Sequence, residues 1–384
     1  MHTRPVLLIL VTEDWYFCMH RLQIARAARV QGYRVLIAAQ ESDCREIIER
    51  EGLELIPMRW SRDSLNPLRA ISEIREAMRV LRMYKPDLVH LVALRPSLYG
   101  GIAAWITGVR PVVNNLAGLG GAFCSKGILA ALLRSVLTTA FRILFRRKNS
   151  CTIVENSDDR AFLLDRVGLR DDQTILILGV GVDENEFRVT EERNNPVPVV
   201  TLVSRLLWPK GIGELVEAGR QLRLRGRDVQ IRLVGMPDEA SRQSVPEAQL
   251  LEWQSQGCID WLGHRDDIPA IWAESNIAVL PSWYREGIPR SLLEAAACGR
   301  AIITTNMPGC REIVQDNVNG LLVPPRDIEA LADAIEKLAA DPGLRMAMGS
   351  AGRDMVERNF TQAHVVEQTL TVYEDMLKAA DKLR

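Results

Sequence analysis

The sequence predicts an α/β protein of two doubly wound, Rossmann-like parallel-sheet domains facing each other across a cleft. Three observations predict it. Short β-branched or aliphatic runs alternate with longer helical patterns along the whole chain. Most of these runs are continuously apolar rather than alternating, as in strands covered on both faces. The pattern then starts afresh after Asn194-Asn195-Pro196-Val197-Pro198, a stretch of structure breakers that reads as a linker.

In the first half the candidate strands are Val6–Val11, Arg34–Ala38, Asp87–Leu91, Val112–Asn115, Thr152–Glu155 and Ile175–Leu178. Met19–Val30 reads as a helix on Leu22, Ile24, Ala25 and Ala28. Asn66–Met83 reads as another, with Leu68, Ile71, Ile74, Met78 and Leu81 on one stripe. The second series of strands is Val199–Val203, Gln230–Val234, Ile259–Leu262, Ile277–Leu280, Ala301–Thr304 and Gly320–Val323. Helices are expected at Ile212–Arg225, Ile268–Glu274, Pro289–Cys298 and Ile328–Ala340. The expected domains are residues 1–185, with a terminal helix over 362–384 packing back on them, and residues 186–361. Open α/β sheets bind ligands beyond the carboxyl ends of their strands.

Composition excludes several classes. The 384 residues are 47% hydrophobic and 25% charged, which suits two ordinary buried cores and argues against disorder. The cysteines (Cys18, Cys44, Cys124, Cys151, Cys258, Cys298, Cys310) form no CxxC pair and no zinc spacing, as in a reducing cytoplasm. The opening apolar run, Val6 to Val11, is too short for a signal peptide, and no run is long enough to span a bilayer. Charge divides unevenly: residues 1–182 carry 25 Lys and Arg against 18 Asp and Glu, the remainder 23 against 31. A basic half and an acidic half point to different partners, the basic one being phosphate-rich or membrane-bound.

Two motifs lie at strand-to-helix junctions of the second half. In Tyr284-Arg-Glu286-Gly-Ile-Pro289-Arg-Ser-Leu-Leu-Glu294, a loop follows a strand and a helix starts near Pro289, with proline at its first position. The N–H groups of Gly287, Ile288 and the helix start would face an anion or sugar hydroxyls. Glu286 and Glu294 could each accept hydrogen bonds from a vicinal diol. Taken alone, the two acids also fit a capped surface helix. In Ser204-Arg205-Leu-Leu-Trp-Pro-Lys210-Gly-Ile-Gly213, Arg205 and Lys210 flank a glycine-bearing loop and could neutralise a diphosphate. No GxGxxG follows either first strand, which excludes ordinary nicotinamide binding.

Together these motifs resemble the retaining GT-B glycosyltransferases of family four. Gly263-His264-Arg265-Asp266-Asp267-Ile268 and Asn319-Gly320-Leu-Leu-Val-Pro324-Pro325 match as well. The first half resembles the bacterial branch that assembles capsule, O-antigen and lipid-linked glycans, through Thr12-Glu13-Asp14-Trp15-Tyr16-Phe17, His20-Arg21, Asn66-Pro67, Lys85-Pro86-Asp87-Leu88-Val89-His90 and Gly118-Leu119-Gly120. The resemblance implies that Arg205 and Lys210 bind the donor diphosphate, Glu294 the ribose and Glu286 the transferred sugar. Gly211, Gly287, Ile288, Pro289 and Arg290 would surround phosphate and sugar, and His264 and Arg265 the base. It implies retention, a UDP-sugar co-substrate, and neither metal nor other cofactor. It also implies an acceptor saccharide on a polyprenyl diphosphate.

One departure stands in the first half. Where many relatives of this branch carry His-Gly, this chain has Ala117-Gly118. Asn115 or His20 are candidates for the missing polar contact, and Glu13, Asp14, Asn115, Gly118 and Gly120 for the acceptor side. Glu13 and Asp14 equally suit a helix cap. Residues 125–149 read as an amphipathic helix with Arg134, Arg142, Arg146, Arg147 and Lys148 and no acid, a candidate contact with the cytoplasmic face of a membrane. An ordinary domain helix with a solvated basic face is the alternative. No nucleic-acid pattern is present. Rival readings on the same scaffold are a sugar-nucleotide epimerase and a non-catalytic sugar-nucleotide-binding subunit.

Overall fold

A computed structural model describes residues 4–60, 66–119, 127–193, 195–238 and 241–382. The chain divides into two units, residues 1–180 with 363–384, and residues 181–362.

In the first unit the strands are β1 (Val6–Glu13), β2 (Arg34–Gln40), β3 (Glu54–Pro57), β4 (Leu88–Val92), β5 (Val112–Leu116), β6 (Ser150–Val154) and β7 (Thr174–Leu176). They form one parallel sheet in the order β3-β2-β1-β4-β5-β6-β7. Successive residues Leu7, Leu8, Ile9 and Leu10 are all fully buried, which is why β1 does not alternate. Leu7 and Ile9 pack with helices α1 (Asp14–His20) and α2 (Leu22–Val30) and with the terminal helix Gln362–Asp381, through Ile24, Ala25, Val365 and Tyr373. Leu8 and Leu10 face the opposite layer. After the short α3 (Arg45–Arg50), that layer contains α4 (Pro67–Tyr84) and α5 (Leu94–Thr107), through Ala77, Val80, Leu81, Ala103 and Ala104. Next along this layer, α6 (Ile128–Phe145) buries Phe141, Leu144 and Phe145. The short α7 (Ser157–Phe162) follows β6.

Local chemistry accounts for the boundaries. The Asn66 side chain accepts a bond from the Leu68 N–H at 2.9 Å and Pro67 opens α4, a standard cap. The stripe expected along α4 is only partly correct. Leu68 is 74% exposed and Ile71 is also exposed, while Ala77, Val80 and Leu81 make the contact with the sheet. The expected helix Met19–Val30 is two helices that break at Arg21, because Arg21 is drawn into a buried pair with Glu155 at 2.8 Å. The expected helix over 125–149 is α6, which ends at Phe145; residues 125 and 126 lie outside the described residues.

In the second unit the strands are β8 (Val199–Val203), β9 (Gln230–Val234), β10 (Asp260–Trp261), β11 (Ile277–Leu280), β12 (Ala301–Thr305) and β13 (Gly320–Val323). All are parallel, in the order β10-β9-β8-β11-β12-β13. The helices are α8 (Ile212–Leu224), α9 (Glu247–Ser255), α10 (Ile268–Glu274), α11 (Arg290–Ala297), α12 (Ile328–Ala340) and α13 (Pro342–Asn359). Residues 183–193 run along this unit, held by the buried Arg345–Glu192 pair at 2.5 Å and by Arg300 and Arg353 donating to the carbonyls of Thr190 and Phe187. Asn195 donates to the Asn276 side chain at 2.8 Å, and that same oxygen accepts from the Val199 N–H. The Asn/Pro stretch expected as the linker therefore belongs to the second unit.

Candidate functional site

In each sheet the first strand lies between its successor and a later strand, so the chain's direction of winding reverses there. In the second unit this switch point falls between β8 and β11, where α/β sheets take their ligands. The loops leaving these two adjacent strands carry the two motifs, and their charged groups meet. Lys210 ends a one-turn helix (Trp208–Lys210) after β8, and its ammonium pairs with the Glu286 carboxylate in the loop after β11. Both side chains are about nine-tenths buried. Burial works against the Lys210 charge, but Glu286 and the Tyr284 ring outweigh it and hold the lysine above its ordinary range. The Tyr284 ring centroid lies 5.5 Å from the ammonium.

Backbone packing explains why these loops need glycine. Gly211 has φ +79°, and a Cβ there would stand 2.1 Å from the Pro281 carbonyl oxygen. The Trp283 N–H and the Ser282 hydroxyl both donate to the Pro209 carbonyl, so the two loops are stitched together. Gly309, in the turn after β12, has φ +87°, and a Cβ there would fall 2.1 Å from the Gly287 oxygen. Gly309 thus seats the Glu286-Gly287 backbone. Among the described residues, no hydrogen-bond acceptor meets the N–H groups of Gly287 and Ile288. Pro289 is the cap of α11, with ψ 116°, rather than its first helical residue; its carbonyl accepts from the Leu292 N–H at 3.1 Å.

Glu294 lies one turn into α11 and is 6% exposed. Burial pushes its carboxyl up to about 7, and the nearby Glu186 adds to that rise. Arg290 at 2.7 Å and the Trp272 indole pull the other way. Its environment differs from that of Glu286, which has a buried cation against it. Arg205, after β8, is half-exposed and pairs with Asp238 at 2.6 Å. His264 and Arg265 follow the edge strand β10. Both are exposed and pair locally, with Asp266 at 3.2 Å and Asp267 at 2.5 Å. The structure thus joins Lys210, Glu286 and Tyr284 directly, whereas among the described residues His264 and Arg265 have only local partners.

Sequence reasoning placed Tyr284 at the start of the motif without giving it a role, and missed Asp238, Glu186 and Gly309. The Pro308-Gly309 dipeptide directly after a strand was a usable turn signal. The others approach only through the fold and carried no local signature.

In the first unit the candidates scatter. Asp14 is fully buried, and its carboxylate accepts from the Ser42 N–H at 2.8 Å, the Ser42 hydroxyl and the Cys44 N–H. It fastens α1 to the turn before α3, which removes it from the acceptor-side set. Glu13 is the residue before α1 and makes no capping bond. His20 ends α1 with its ring centroid 4.5 Å from that of Tyr16. Asn115 is buried at the end of β5, and its amide nitrogen meets no acceptor among the described residues. Gly118 has φ +88°, and Gly120 lies outside the described residues. Arg142 turns back to donate to the carbonyls of Arg166 and Val167, so it is a structural cap rather than a membrane contact. Arg147 is half-buried, with burial and the neighbouring Arg110 lowering its pKa, and leaves that set too. Arg146 and Lys148 are exposed, and Arg134 is half-buried.

Two doubly wound units, the second with a buried lysine–glutamate pair at its switch point, define the GT-B class of glycosyltransferase. Family models agree: glycosyl transferases group 1 matches residues 183–355, and glycosyl transferase 4-like matches residues 6–150. Both halves of the chain thus match glycosyltransferase models. It is 27% identical over 371 residues to the N,N'-diacetylbacillosaminyl-diphospho-undecaprenol alpha-1,3-N-acetylgalactosaminyltransferase of Campylobacter jejuni, covering 93% of this chain and 95% of that protein. It is 24% identical to the capsular polysaccharide biosynthesis glycosyltransferase CapM of Staphylococcus aureus, over 88% of this chain and 90% of CapM. The fold is similar to that of Anabaena HepE, solved with UDP: TM-score 0.76 and 20% identity, over 97% of this chain and 100% of HepE.

Proposed function

We propose that this glycosyltransferase moves a sugar from a UDP-sugar to a saccharide carried on a polyprenyl diphosphate, with retention of anomeric configuration, in cell-surface polysaccharide assembly. The observation that carries the reading is the buried Lys210–Glu286 pair at the switch point, within the stretch matched by the group 1 model. Departure of a nucleoside diphosphate builds negative charge on phosphate oxygens and positive charge on the sugar. Preorganised donors aimed at that charge are the largest catalytic contribution open to such a site. Lys210 and Arg205, with the N–H groups of Gly287 and Ile288, supply them without a metal ion. Glu286 takes a sugar hydroxyl, Glu294 the ribose, and His264 and Arg265 lie towards the base. Glu13, His20, Asn115 and Gly118 remain for the acceptor side.

The Campylobacter relative acts, by its name, on a diphospho-undecaprenol-linked sugar, and HepE was solved with UDP; these support the acceptor and the nucleotide. Among the described residues no helix is long and apolar enough to cross a membrane. The exposed Ile128, Leu132, Leu133, Val136 and Ile143 of α6, with Arg146 and Lys148 beyond its end, favour peripheral attachment at the cytoplasmic face. The test is a screen of nucleotide sugars against lipid-linked saccharides, with and without a chelator. Product mass and the anomeric configuration by NMR are the readouts. Nucleotide release from no donor would remove the transferase reading for this chain. An inverted product would remove retention, and loss of turnover with chelator would remove metal independence.

A further inference from the structure

A cavity of about 860 Å³ opens in the first unit at the carboxyl ends of β2 and β3. Gln40, the last residue of β2, lines it, and Gln40 is the register partner of Glu13. The other wall is α4. Four arginines border the cavity: Arg59, Arg69, Arg75 and Arg79. Its acids are already engaged. Glu41 pairs with Arg45 at 2.5 Å, and both Glu76 oxygens face the Arg59 N–H at 3.1 and 3.2 Å. Arg69 has only a 4.0 Å approach to Glu73, whose carboxylate lies 3.1 Å from Arg95. Among the described residues Arg59, Arg75 and Arg79 have no ion pair. Elsewhere surface arginines commonly find acids, as Arg45, Arg225 and Arg265 do.

Arg75 and Arg79 sit at i and i+4 on α4, with Arg82 one position short of the next turn's end. Like charges at that spacing destabilise a helix unless something neutralises them. An open groove on the same helix, lined by Arg75, Met78, Arg79, Arg82 and Met83, adjoins the cavity. Arg75 and Arg79 are common to both. A basic cavity thus continues into a groove bordered by methionine side chains, with Met83 itself 66% exposed.

We infer that this cavity and its groove hold the head of an isoprenoid diphosphate, its phosphates on Arg59, Arg75 and Arg79 and its hydrocarbon along Met78 and Met83. Arginine forks suit phosphate oxygens, and three of them more than offset the two negative charges of a diphosphate substituted at both ends. The inference rests on the reading of a lipid-linked acceptor and names the residues that grip its diphosphate. Gripping the carrier at its diphosphate leaves the saccharide free to reach Glu13 and its neighbours.

The test uses the full chain and farnesyl diphosphate as probe. The wild type should bind it, and Arg75→Ala with Arg79→Ala should weaken binding about tenfold per arginine. Arg225→Ala, on a paired surface arginine of the other unit, should leave binding unchanged, and so should no variant alter UDP affinity. Equal binding by inorganic pyrophosphate would reduce the site to an anion cavity and overturn the assignment. Displacement of the probe by phosphatidylglycerol vesicles would overturn it in favour of a general lipid surface. In turnover, the double variant should raise KM for a lipid-linked acceptor with kcat unchanged, and leave the rate with the same saccharide lacking diphosphate untouched. An unchanged KM in an enzyme that does use lipid-linked acceptors sinks the inference and spares the functional reading. Probe binding lost in the double variant, in a protein that uses no lipid-linked acceptor, sinks the reading and spares the site.

Discussion

Glu294 is the group whose ionisation decides most. Its carboxyl ordinarily titrates near 4.5 and is pushed up to about 7 by burial in the second unit. The folded protein therefore holds a proton between those values that the unfolded chain has released. Stability must fall as pH rises through that window, with the loss complete above pH 7 at about 3 kcal/mol. Glu294→Gln keeps the shape and removes the titration. Relative to wild type it should gain about 3 kcal/mol between pH 4.5 and pH 8 in urea unfolding. If Glu294 takes the ribose as proposed, it must be ionised to accept both hydroxyls. At pH 6 about one molecule in ten is competent, at pH 8 nearly all, so nucleoside affinity should improve about tenfold across that range. Uridine is the right ligand for the titration assay, since it has no phosphate to titrate alongside. Glu294→Gln should bind weakly and with a flat profile. A wild-type profile flat from pH 6 to pH 8, or the same slope in the variant, would refute the assignment of the ribose to this carboxyl.

Three other expectations follow from the packing. Lys210→Met leaves Glu286 buried without its cation, and should cost about 3 kcal/mol of stability along with turnover; a loss under 1 kcal/mol in denaturant titration would mean the pair is looser than its burial implies. Gly309→Ala should displace the Glu286-Gly287 backbone and lower turnover at least about tenfold with modest change in nucleotide affinity, because its Cβ has no room beside the Gly287 oxygen. Leu132→Gln with Val136→Gln, both exposed, should leave the melting temperature unchanged and reduce sedimentation with anionic vesicles; undiminished sedimentation would remove α6 as a membrane contact.

How much could be read in advance depended on how local the cause was. Strands such as Val199–Val203 and Ile277–Leu280 were legible to the residue because near-continuous burial leaves a largely apolar run, broken in β8 by the buried Thr201. β3 was not, being four residues at a sheet edge ending in proline. α5 was hidden by its own composition, with Pro96, Gly100 and Gly101 inside it. Gly100 is there because a Cβ would lie 2.7 Å from Leu91, so tertiary packing overrides propensity. At the site, Glu286 and Lys210 were legible as a motif, whereas their direct pairing needed β8 and β11 to be neighbours. His90 shows the converse. It looked like part of a functional motif but is buried, held down to about 3 chiefly by desolvation, and bonded to Tyr373 of the terminal helix at 2.6 Å.

The two units share a winding and differ in what stands at the turn. Both sheets reverse direction beside their first strand, between β1 and β4 and between β8 and β11. At the second, a tight charge pair and glycine-dependent loops make a rigid, preorganised grip. At the first, Ala93 follows β4 with φ 77° and ψ 170°, a conformation natural to glycine that costs about 1–3 kcal/mol in alanine. Its N–H is tied at 2.8 Å to the carbonyl of Asn115, whose own amide nitrogen meets no acceptor among the described residues. Strain and an unmet donor thus coincide at the carboxyl end of the first sheet, where a polar acceptor would satisfy the amide. A tight charge pair in one unit and an unmet amide donor in the other are the asymmetry expected if the second unit holds a constant nucleotide and the first a variable saccharide.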